Sequence, residues 1–124
     1  MNISQLKNTT GWIISGLIAA VLLINAGLKL SLNPGMVKLL SSWGLGDQVI
    51  ALGVGELISC VLFLIPRTLP VGALLLSSIL GGAIATHLQH ADAFGIPATA
   101  LLLVWVAAYM RNPEIFRRII PMSE

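Results

Sequence analysis

Charge is what this sequence has least of. Seven Lys and Arg and five Asp and Glu amount to 10% of 124 residues, against 56% hydrophobic positions and a mean hydropathy of +0.93. Soluble domains carry roughly 25% charged residues, and a short chain this poor in charge cannot cover its own apolar surface in water. A soluble globular fold is therefore excluded. The net charge of +2 is too small and too scattered for a nucleic-acid surface, so no nucleic-acid partner is expected. One cysteine, Cys60, excludes an internal disulfide, a Cys-x-x-Cys thiol relay and a cysteine-rich metal site. Nucleophile elbow, phosphate loop and zinc-protease motifs are also missing.

What the chain does have is long apolar runs. A helix crossing the roughly 30 Å hydrocarbon core needs about 20 mainly apolar residues. Four such runs cover about 11–32, 48–65, 69–88 and 94–110, parted by Asn33-Pro34-Gly35, by Pro66 with Pro70, and by the segment 92–97. The pattern predicts an all-α, polytopic four-helix transmembrane bundle, one domain over 1–124, with the second and third spans an antiparallel hairpin. The first run, 12–28, is longer than a signal peptide's usual 7 to 15 apolar residues and carries Asn25, so it reads as a retained helix.

Orientation follows from Lys and Arg on the short loops. Lys7, Arg67, Arg111, Arg117 and Arg118 fall on one side; Lys38 falls on the other, with Lys29 if it counts as a loop residue. Both termini are thus expected in the cytoplasm, in a multi-pass protein of the inner (plasma) membrane. Trp12 and Tyr109 would mark the inner interface and Trp43 the outer one. A short amphipathic run, 36–43, is expected along the outer surface. The tail 112–120 reads as an amphipathic helix capped by Asn112 with Pro113 in its first turn. Its Phe116, Ile119 and Ile120 would face lipid, and Arg117 and Arg118 anionic headgroups. Small residues at four-residue spacing, Ala51, Gly55 and Ser59 against Ser77, Gly81 and Ala85 or Ser78, Gly82 and Thr86, suggest that the second and third spans pack most tightly.

The candidate site comes from polar residues that lipid should exclude. An ionisable group at a span centre costs at least about 2.5–3.5 kcal/mol. Glu56 lies nine residues, roughly 13 Å, from Asp47 at the outer end of its span, near mid-bilayer. Lys29 stands near the outer end of the first span, Asn25 one turn below it on the same face, and His87 near the outer end of the third. Because each Cα–Cβ bond leans toward its helix N-terminus, Lys29 and His87 lean inward while Glu56 leans outward, so the three are expected to converge. Plainer readings stand beside this one: a snorkelling Lys29, a protonated Glu56 bonded to a neighbouring helix, Asn25 as interhelical glue, and His87 as an interface histidine. His87, His90 and Asp92 also spell a His-x-x-His-x-Asp pattern, but no further ligand is evident and no metal is assigned.

With these residues in place, the chain resembles the DoxX-like family of small four-helix membrane proteins. The likeness rests on Ala26-Gly27-Leu28-Lys29, Gly55-Glu56-Leu57, Ala85-Thr86-His87-Leu88, Ile65-Pro66 and Arg111. It implies a single four-helix transmembrane bundle. It also implies, by analogy with the family's namesake, a subunit of a quinol-linked oxidase or thiosulfate:quinone oxidoreductase. No cofactor is ligated by the sequence itself; a quinone is the one the resemblance suggests.

Three functions stay open. The first is a binding or accessory subunit whose outer-leaflet pocket, walled by Leu22, Leu57 and Ile84, holds the head of a quinone, isoprenoid or lipid on Asn25, Lys29, Glu56 and His87. The second is an isomerase- or cyclase-type enzyme with Glu56 as catalytic acid or base and Lys29 or His87 as its electrostatic partner. The third is a scaffold or assembly factor in which the Lys29–Glu56 pair sets helix registry. The expected partners are the bilayer, a lipophilic small molecule, and a second copy or a redox subunit.

Overall fold

The computed structural model describes residues 2–119, with the side chain of Ile119 left aside; the expectation for Ile120 lies outside the described residues. It is all helical: α1 (Ile3–Leu30), α2 (Pro34–Ser42), α3 (Val49–Leu64), α4 (Leu69–Gln89), α5 (Gly95–Arg111) and α6 (Glu114–Ile119), with 3₁₀ turns at Gly46–Gln48 and Pro66–Thr68. α1, α4, and α3 with its preceding turn are long and apolar enough to cross a bilayer; α5, also apolar, has 17 residues.

Local chemistry sets the helix ends. α1 starts about two turns before its apolar run because Asn2 and Gln5 form a reciprocal capping box, Asn2 Oδ1 accepting from the Gln5 amide at 2.8 Å and Gln5 Oε1 from the Asn2 amide at 3.2 Å. Asn33 caps α2 through the amides of Gly35 and Met36, and Asn112 accepts from the Glu114 amide at the start of α6. α1 and α4 end in left-handed residues, Leu32 (φ 54°) and Ala91 (φ 53°), where glycine is usual. Each turns the chain away within a few residues of Lys29 or His87.

The four long helices pack in a ring, α1 against α3 and α5, and α4 against α3 and α5. Lys29 meets the first half of α3, at Gly53 and Glu56, whereas Ser15 and Gly11 meet the ends of α3 and α5 through Arg111, so neighbours alternate in direction. The core is concentrated toward the end that carries the N-terminus and α6, hereafter the terminal end. Ser15, Ile18, Cys60, Phe63, Leu69, Ala73, Leu76, Val104, Ala107 and Ala108 are buried there and through the middle. Beyond Leu80, α4 has no buried residue.

The glycines of the small-residue stripes do not make the close α3–α4 approach that the spacing suggested. A Cβ added at Gly81 or Gly82 would meet nothing within 4 Å, and at Gly55 it would only graze Ile79. The close approach is at Gly72, where a Cβ would fall on the backbone of Leu62 and Phe63. The three-residue turn draws the helices together beside itself and leaves them freer further out. Higher up, α4 and α5 are tied by Trp105 Nε1 donating to Ser77 Oγ at 2.7 Å, and Ser77 donates to the Ala73 carbonyl. α6 folds back on α5: Phe116 packs edge-on against Trp105 and Tyr109, and Ile115 is buried, so Phe116 faces protein where the amphipathic pattern pointed to lipid.

Candidate functional site

The site is built where α1 crosses α3. Gly53 admits the crossing: a Cβ there would stand 3.0 Å from Lys29 Cβ and from Leu30 Cγ. Three residues on, and on the same face, Glu56 is 4% exposed. The Lys29 ammonium donates to Glu56 Oε2 at 2.7 Å and to Asn25 Oδ1, one turn back on its own helix, at 2.6 Å. The opposed leans of the two Cα–Cβ bonds bring these heads together across about one helical turn. Lys29 therefore turns into the bundle instead of snorkelling outward. Ala26 and Leu22 close α1 beside the pair, and Cys60, one turn below Glu56, lies buried with Sγ 4.0 Å from the Ala19 carbonyl.

The arrangement leaves capacity unused. An ammonium has three donors, and two are engaged. Glu56 Oε1 accepts no hydrogen bond from the described residues and is not sealed off. A donor and an acceptor thus stand side by side within an apolar contact, with their charges cancelling.

His87 does not join them by any hydrogen bond among the described residues. Its Nδ1 lies 3.2 Å from an Asp92 carboxylate oxygen, off the line of a good hydrogen bond, and its ring meets Trp43 edge-on at 5.0 Å. Trp43 also stacks on His90, whose Nδ1–H donates to the Thr86 carbonyl at 2.9 Å. Trp43, at the end of α2, thereby ties that surface helix to the last turn of α4. The imidazoles flank an indole and, among the described residues, no three acidic, histidine or cysteine side chains come together as metal ligands. Nor is Leu57 an inner wall, being 37% exposed.

Sequence reasoning counted Arg111 as a loop charge and as part of the family likeness, and the structure gives it a further role. Its guanidinium donates to the Phe63 carbonyl (2.7 Å), the Leu64 carbonyl (3.1 Å) and Ser15 Oγ (3.2 Å), and stacks on Trp12 with Cζ 3.9 Å from the ring centre. It caps the end of α3, where Pro66 stops the helix and leaves carbonyls without amide partners. A proline break facing a terminal arginine was the available signal. Two cavities adjoin this end, and neither is lined by Asn25, Lys29, Glu56 or His87.

Apolar helices around an intramembrane ion pair define a helical membrane protein with a polar site inside its bundle. Residues 13–109 match the profile of the DoxX-like family, and the chain belongs to that family. No curated protein and no solved structure matches it.

Proposed function

We propose that this protein crosses the inner membrane four times with both termini in the cytoplasm, and binds the polar head of a quinone, isoprenoid or lipid-like amphiphile beside Asn25, Lys29 and Glu56. The protein serves as an accessory subunit of a membrane redox system, with a second copy or a redox subunit as partner. The redox assignment rests on the family namesake. One observation carries the binding reading: among the described residues Glu56 Oε1 and one N–H of Lys29 have no hydrogen-bond partner, and Oε1 is not sealed off. A hydroxyl or carbonyl head would complete both. Because the pair is neutral, an uncharged head suits it better than a phosphate, which Glu56 would repel.

Native mass spectrometry of protein released from its own membranes tests this. Wild type should retain an amphiphile, and Glu56→Gln, still folded, should lose it by about tenfold or more, as expected for one charge-assisted hydrogen bond. Equal retention in the two would overturn the assignment. The same free oxygen favours a second reading, in which Glu56 is the acid or base of an isomerase- or cyclase-type enzyme. There Glu56→Gln abolishes turnover of the bound amphiphile while leaving its retention largely intact.

A further inference from the structure

We propose that the cavity beside Arg111 at the terminal end is a phosphate site, separate from the Lys29–Glu56 pair. The cavity, about 290 Å³, is lined by Asn8, Trp12, Pro66, Leu69, Arg111 and Asn112. Its only ionisable side chain is a cation, and that cation has no counterion among the described residues. The groups on Arg111 are two carbonyls, a hydroxyl and two aromatic rings. Those carbonyls, at the end of α3, supply at most about half a negative charge. The described acids do not complete it: Asp47, Glu56 and Asp92 belong to the other end or the middle, and Glu114 is paired with Arg117 at 2.8 Å.

The Arg111 donors are not all used. A guanidinium has five N–H groups, and three hydrogen bonds account for Nη1 and part of Nη2. Nε is buried without an acceptor. One N–H of Nη2 is left without an acceptor among the described residues, and it is the donor that an anion in the cavity would meet. Asn8 makes no side-chain hydrogen bond among the described residues, and Asn112 uses only its Oδ1, toward Glu114. Two carboxamide N–H₂ groups are therefore free on the same wall. Unused planar donors, a cation lacking a partner and an apolar remainder fit a phosphate mono- or diester better than a carboxylate ligand, which offers fewer oxygens. Such a group comes from a phospholipid head at the interface marked by Trp12 and Tyr109, or from a soluble phosphate.

The test uses the full chain in detergent, titrated with dioctanoylphosphatidylglycerol, with dioctanoylglycerol as the phosphate-free control, and with sodium phosphate. Arg111 caps α3, so the discriminating variant is Asn8→Asp, which leaves that cap in place and sets a carboxylate in the cavity. Phosphatidylglycerol should bind, dioctanoylglycerol should not, and Asn8→Asp should weaken binding about tenfold or more. Sodium phosphate binding as tightly, and as sensitive to Asn8→Asp, supports the same site with a soluble source. Equal binding of dioctanoylglycerol, unchanged affinity in a folded Asn8→Asp, or no binding of any phosphate overturns the proposal.

Discussion

Lys29→Met should cost about 3–5 kcal/mol of stability, the range for removing one partner of a buried ion pair. Glu56 is 4% exposed and takes its only hydrogen bond among the described residues from Lys29. Removing the ammonium leaves the carboxyl inside the α1–α3 contact with Asn25 too, since Asn25 Oδ1 is held by the same Nζ. Methionine keeps most of the stem that packs on Gly53, which isolates the loss of charge from loss of packing. Unfolding titrations in mixed micelles read the difference. A cost under about 1 kcal/mol would place the lysine's head in the interface, where exposed pairs contribute little.

Gly72→Ala is expected to destabilise by at least about 3 kcal/mol, at the upper end for overpacking. The added methyl meets the backbone of Leu62 and Phe63, which cannot rotate aside as a side-chain tip can. α4 must therefore retreat from α3 close to the Pro66–Thr68 turn, and Phe63, fully buried, loses its packing. Gly81→Ala on the same helix is the internal control. Its methyl meets nothing within 4 Å, so helix propensity alone should make it neutral or up to about 1 kcal/mol more stable. Parallel unfolding of the two variants checks the contrast, and similar values for both would refute the close approach.

The Lys29–Glu56–Asn25 contact was legible because it needs only two facts that sequence carries: helical spacing and the lean of each Cα–Cβ bond. The cap at Asn112 was legible for the same local reason, a short side chain reaching its own next turn; Asn33 was read only as a break and proved to cap α2. His87 was harder. Its ring direction depends on Trp43, which α2 carries over the end of the bundle, and nothing in the spacing of α4 reports that. The glycine stripe of α4 misled because a four-residue period marks a face without saying what lies opposite, whereas the turn at Pro66 decided which glycine is crowded. Phe116 faces α5 because the chain folds back after Asn112, which a helical-wheel pattern cannot distinguish from a lipid-facing residue. Arg111 was read as an orientation signal, and its cap of α3 became visible only once the carbonyls freed by Pro66 stood next to it.

The proposed function requires that the Lys29–Glu56 pair be kept for what it binds and not for stability. Its most direct test is the double variant Lys29→Leu with Glu56→Met, reconstituted and assayed both for unfolding and for retention of the native amphiphile. Replacing a buried pair by apolar residues of similar volume is often neutral or stabilising. The expected result is a bundle at least as stable as wild type that no longer retains the amphiphile. A double variant of normal stability with ligand fully retained would reduce the pair to a registry device and contradict the account.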